Sequence, residues 1–148
     1  PTIETPEAEM IGRELVFNYS IIPHAGVWHE SDAQAQSHEF NRGLKAFPVF
    51  YNKGGDATLP SELSFVSVKG KNVVLSSVRQ CEDGGGYAIR LWNGSSVPSD
   101  AAITLFKKPT RAFVSDIRER KLDPISPSEK FSVHVGAKSV VTVRLEFD

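Results

Sequence analysis

A single cysteine, Cys81, stands among 148 residues. That excludes an intramolecular disulfide framework and any multi-cysteine zinc or iron–sulfur site, and it fits a reducing, cytoplasmic setting. A dominant charge is also missing. Lys+Arg number 17 against 18 Asp+Glu, a net of -1, so no whole-molecule field exists to gather nucleic acid or an anionic membrane. Uninterrupted apolar runs extend over only a few residues, such as Val73-Val74-Leu75, far short of the roughly 18 that a membrane span needs. A soluble protein is expected. The opening residues, Pro1 to Pro6, show neither the basic stretch nor the apolar stretch of a signal peptide, and a chain cut from something longer is expected.

What is present is a 40% hydrophobic composition, enough to close one core in a domain of ordinary size. Residues 1–12 read as a linker or arm and residues 13–148 as one domain. Leu15, Phe17, Tyr19 and Ile21 recur with a period of two, which predicts a strand over 13–22, ended by Pro23-His24-Ala25-Gly26. Ser31 to Phe40 is the one helical stretch, with Ser31 or Asp32 as its N-cap. Leu44 to Tyr51 returns to strand-like composition, and Asn52 to Asp56 is loop chemistry.

From Leu63 the text is almost all β. Leu63–Val68 and Asn72–Cys81 predict a hairpin across Lys69-Gly70-Lys71-Asn72, and a second hairpin joins Asn72–Cys81 to Tyr87–Asn93 across the Gly84-Gly85-Gly86 turn. Strands follow at Ala101–Phe106, Phe131–Val135 and Val140–Phe147. Lys107 to Lys121 reads as a solvated basic strip, and the proline-bearing Leu122–Ser128 as a surface connection. Seven or more short strands with one early helix predict a mainly β fold, an antiparallel β-sandwich.

The side chains that could carry chemistry have simpler explanations. His38-Glu39-Phe40-Asn41-Arg42 places Arg where a zinc-binding helix needs its second imidazole. Cys81 ends an apolar strand, as a small buried hydrophobe does. Glu82-Asp83-Gly84 is turn chemistry, and the glycine run has no Lys-Ser/Thr or helix behind it to hold a phosphate. Trp28, Trp92, Tyr19, Tyr51 and Tyr87 suit either a sugar-stacking platform or core packing. The sequons Asn18-Tyr19-Ser20 and Asn93-Gly94-Ser95 are read as chance matches.

Two blocks resemble a known family. Phe17 to Trp28, with its Pro23-His24-Ala25-Gly26-Val27-Trp28 loop, followed by a helix ending His38-Glu39-Phe40-Asn41-Arg42-Gly43-Leu44, is similar to the carboxy-terminal half of glycoside hydrolase family 38 α-mannosidases. Phe65–Val68, Asn72–Arg79 and Glu82–Asn93 resemble that family's terminal β-sandwich. Asp116-Ile117-Arg118-Glu119-Arg120 and Val140–Leu145 resemble its Asp-x-x-Glu-Arg element and last strand.

The resemblance implies a supersandwich or galactose-mutarotase-like sandwich. It also implies that the zinc ligands and the nucleophile belong to a catalytic domain outside this chain, so that this chain carries no cofactor and no catalytic residue and is inactive alone. His24, Trp28, Asn41 and Arg42 are then the residues expected to approach a sugar. The chain's own catalytic domain is the expected partner, with carbohydrate and self-association as further possibilities. Two other readings stand beside this one: a stand-alone carbohydrate-binding module, and an adaptor sandwich that binds protein through its edge strands.

Overall fold

A computed structural model describes residue 12, residues 14–48 and residues 59–148. Residues 1–11, most of the expected arm, lie outside the described residues, as do 49–51 of the expected strand and the 52–56 loop. The described part contains one α-helix, α1 (Ala33–Asn41), preceded by a 3-10 turn (Trp28–Glu30), and eight strands. These are β1 (Val66–Lys69), β2 (Val73–Gln80), β3 (Tyr87–Asn93), β4 (Ser99–Leu105), β5 (Arg111–Ser115), β6 (Lys121–Ile125), β7 (Lys130–Val135) and β8 (Ser139–Glu146). None of the described helices is long and apolar enough to cross a membrane.

The strands form the expected antiparallel sandwich. A three-stranded sheet runs in the order β1-β4-β7, and a five-stranded sheet in the order β2-β3-β8-β5-β6. Strand alternation builds the core between them. Ile89 and Leu91 of β3 and Val143 and Leu145 of β8 meet Ile103 and Leu105 of β4 and Val133 and Val135 of β7. Ile89, Leu91, Val135 and Val143 are fully shielded, and each buried side chain of this size stabilises by about 1.5–3 kcal/mol.

Several sequence expectations need correction. β1 and β2 do not form a hairpin: β1 pairs with β4, and β2 with β3. The Gly70-Lys71-Asn72 turn instead carries the chain from one sheet to the other, so the apolar faces of β1 and β2 look across the core at each other. Apolar alternation is the same in both arrangements, which is why the sequence does not distinguish them. Gly70 is required by proximity, since a Cβ there would meet the Asp100 carbonyl oxygen at 2.8 Å. The β2–β3 hairpin is present as expected.

The basic strip is not a loop. It contains β5 and the start of β6, which pair with each other, and β5 also pairs with β8. β6 is the edge of its sheet, where Pro124 needs no donor on its open side. Conversely, residues 14–22 form no strand. Phe17, Tyr19 and Ile21 are 79%, 86% and 83% exposed, and alternation without a neighbouring edge gives the backbone nothing to pair with. Residues 44–48 are likewise outside any strand and exposed.

Candidate functional site

The densest arrangement of polar side chains lies on the outer face of the five-stranded sheet. β8 turns Val143 and Leu145 toward the core and Thr142, Arg144 and Glu146 toward the opposite face, yet these three are buried as well. Two turns fold over them. The β2–β3 turn brings Glu82 and Asp83, and the β5–β6 turn brings Asp116 to Arg120.

Two small residues, Ala88 and Gly85, make room for the guanidinium. Arg144 is flanked across the strands by Ala88 on one side and Phe113 on the other. A Cβ on Gly85 would come within 2.7 Å of Arg144 Nη2. Arg144 Nη1 pairs with Asp83 Oδ2 at 2.8 Å and donates to the Glu119 carbonyl at 3.3 Å, while its Nε reaches Glu146 Oε1 at 3.0 Å. Glu146 also pairs with Arg111 at 2.8 Å and Lys121 at 2.7 Å. Lys121 lies over the Phe113 ring, 5.2 Å from its centroid.

The Asp116–Arg120 element is the turn that makes this possible. Asp116 Oδ1 accepts from the backbone N–H groups of Arg118 and Arg120, each at 3.0 Å, and Oδ2 pairs with the Arg120 side chain. Its own backbone closes on Glu119 and Arg120. Glu119 adopts φ 65, an uncommon region for a residue with a Cβ, and its buried carboxylate spans to the other turn. It accepts from Arg79 Nη2 and from the Glu82 backbone N–H at 3.0 Å.

The electrostatics mark this network as a clamp. The Arg144 hydrogen bond holds Asp83 below the usual carboxylate range, helped by the Gly85 N–H. Burial works to raise Glu146, but Lys121 and Arg144 outweigh it, and its carboxyl too is held low. A general acid or base needs a proton affinity near the working pH, and these two carboxylates are fixed in the ionised form. Between the two turns lies an open groove of about 440 Å³ lined by Glu82, Asp83, Arg118 and Arg144 among others.

A second feature is apolar. At the end of the sandwich where β1 stops short of β2, a cavity of about 310 Å³ is lined by Phe65, Val78, Tyr87, Phe106 and Phe147, with Lys107 the one charged neighbour. Phe65 meets Phe106 edge to face at 5.9 Å, and Tyr87 meets Phe147 at 6.1 Å. Phe65, Tyr87 and Phe106 remain at least half exposed or nearly so.

The residues expected to approach a sugar are all exposed, and they lie at two ends of one element. His24 and Trp28 precede α1, whereas Asn41 and Arg42 close it. Asn41 Nδ2 donates to the Ser37 carbonyl and the Arg42 N–H to the His38 carbonyl. At the start of α1, Ser31 Oγ accepts from the Ala33 N–H at 3.2 Å, whereas the Asp32 side chain makes no cap bond. Cys81 is 3% exposed, and burial pushes its thiol up, as suits a core residue.

Asn93 also has a structural role. It is fully buried, its Nδ2 donates to the carbonyls of Val97, Val135 and Gly136, and its Oδ1 accepts from the Ser95 N–H. Sequence reasoning missed this staple, for which the Asn-Gly-Ser turn is a signal, and it singled out the Asp116–Arg120 element by resemblance without the long-range partners Arg79 and Glu82 that make Glu119 a clamp.

Comparison with known families agrees with the resemblance carried by the sequence. Residues 72–143 match the model of the glycosyl hydrolases family 38 C-terminal beta sandwich domain, a segment that runs from the β1–β2 turn into β8. No curated protein and no solved structure matches the chain.

Proposed function

Since residues 72–143 are similar throughout to a family 38 C-terminal beta sandwich, we propose that this chain is an accessory part of an α-mannosidase-type glycoside hydrolase. It braces a catalytic domain that holds the zinc and cleaves α-mannosidic bonds. Its own residues do not fit that metal: among the described residues, no three His, Cys, Asp or Glu side chains are grouped to ligate one. The chain's contribution is binding and rigidity, with the partner domain supplying the chemistry.

The observation that carries this reading is the cluster of Phe65, Tyr87 and Phe106 around the open end of the sandwich. Exposed aromatic patches of this kind mark places where another body packs. The exposed Leu15–Ile21 alternation offers a second surface to the same body. In this arrangement His24, Trp28, Asn41 and Arg42 stand at the rim of the sugar cleft, and a cytoplasmic setting accords with the lone buried thiol.

The test is made on a full-length family 38 protein that contains this segment. Phe65→Asp combined with Phe106→Asp is expected to separate or loosen the catalytic part and to lower hydrolysis of an aryl α-mannoside, with the sandwich itself still folded by circular dichroism. Unchanged activity and unchanged thermal stability would refute the brace.

A further inference from the structure

We propose that the catalytic part seats one aromatic side chain, with a carboxylate close beside it, in the cavity at the open end of the sandwich. The inference rests on the brace reading and specifies the chemistry of its contact: the ring enters the cavity and the acid pairs with Lys107.

The cavity is more than a crease between surface side chains. Its floor is the core itself, since Ile89, Leu105 and Leu145 line it and are at most 5% exposed. It exists because the facing strands are unequal. Val78 pairs with Ile89 and so belongs to the inner face, yet it is 48% exposed, because β1, with four residues against the eight of β2, does not reach over it. At about 310 Å³ the space lies at the small end of ligand-sized cavities, which suits a single anchor side chain and not a whole folded surface.

The lining selects the anchor. Apart from the Lys107 ammonium, the Tyr87 hydroxyl is the one polar side-chain group in it, so a polar anchor would give up water with little in return. Two edge-to-face pairs, Phe65 with Phe106 and Tyr87 with Phe147, already stand around the space, and an entering ring finds both faces and edges to pack on. Charge selects the neighbour. Lys107 Nζ donates to the neutral Asp148 carbonyl at 2.8 Å and pairs with no carboxylate among the described residues. Next to an apolar cavity that ammonium attracts a carboxylate more strongly than it would in open water, and it repels a cation. An apolar anchor in a desolvated pocket with an ion pair at its rim is the arrangement on which binding energy and orientation concentrate.

The 148-residue chain is titrated, in separate arms, with para-fluorophenylacetate and para-fluorobenzylamine, followed by fluorine NMR, with excess acetate as a competitor. The expected result is saturable binding of the ring acid, binding of the ring amine about tenfold weaker, and no displacement by acetate. Lys107 is exposed, so Lys107→Glu should leave the fold intact and reverse the order of the two ring compounds. In a full-length family 38 protein that contains this segment the cavity is filled by the catalytic part, and no ring-acid binding that Lys107→Glu removes should remain. The proposal is overturned by no saturable binding to the 148-residue chain, by equal binding of acid and amine, by displacement with acetate, or by an order that Lys107→Glu does not change. Ring-acid binding through Lys107 in the full-length protein would overturn this proposal alone, whereas unchanged hydrolysis and stability in the Phe65→Asp, Phe106→Asp protein would remove the brace and the anchor together.

Discussion

Two regions of this chain are written in similar letters and end in different states. Residues 66–146 alternate apolar and polar side chains and bury a continuous core, whereas among the described residues ahead of Val66 no residue is buried. Leu15, Phe17, Tyr19 and Ile21 repeat as regularly as Ile89 and Leu91, yet the first set faces solvent. The difference is the neighbour. β3 lies between β2 and β8, which satisfy its backbone on both sides, while residues 14–22 pair with no strand among the described residues. Periodicity states which face a strand would bury, and a second element has to supply the surface.

That contrast is most easily broken by truncation. Ile89→Ala or Leu91→Ala is expected to cost about 2–5 kcal/mol in urea unfolding, whereas Phe17→Ala or Ile21→Ala should stay within about 0.5 kcal/mol. A comparable loss from Phe17→Ala would mean that the leading segment joins the core in solution. Next in size is Asn93→Ala, which strands three carbonyls and the Ser95 N–H. It should destabilise by about 2–4 kcal/mol. Loss of less than half of the lower figure would remove the staple role.

How far the sequence reveals this architecture depends on where the partners lie. β3 is legible because Tyr87 to Asn93 alternates cleanly between glycine-bearing turns, and β2, β4, β7 and β8 carry the same signature. α1 is legible from its N-terminal serine and its run of helix formers. β5 and β6 are hidden because Arg111 and Lys121 look like solvated charge until Glu146 of β8 is placed beside them. The clamp is hidden more deeply, since Arg79 meets Glu119 across 40 residues of chain. The leading strand is misread for the opposite reason: its local pattern is complete and its partner surface is not in the described structure.

Acid provides a finer probe of the sandwich alone. Asp83 and Glu146 have lower proton affinity in the folded chain than when unfolded, so the unfolded state binds more protons. Their stabilisation is present in full above the unfolded values, about 3.9 for Asp and 4.3 for Glu, and is lost as the pH falls through the lower folded values. Melting temperature should therefore fall with pH below about 4.5. Glu146→Gln should flatten that limb while reducing stability at neutral pH. A slope unchanged by Glu146→Gln would assign the acid sensitivity to other carboxylates.

The smallest effect belongs to the leading region and is local. Ser31 Oγ accepts from the Ala33 N–H and donates to the Trp28 carbonyl at 2.8 Å, tying the 3-10 turn to α1. Ser31→Ala removes both bonds, and loss of such a helix-start hydroxyl costs about 0.5–2 kcal/mol. Because no side chain of α1 is part of the core, that cost should appear as faster amide exchange in Ala33–Asn41 with the global melting temperature unchanged. If the melting temperature fell together with α1 protection, helix and sandwich would unfold as one cooperative unit, and the boundary drawn at Val66 would not be a boundary in stability.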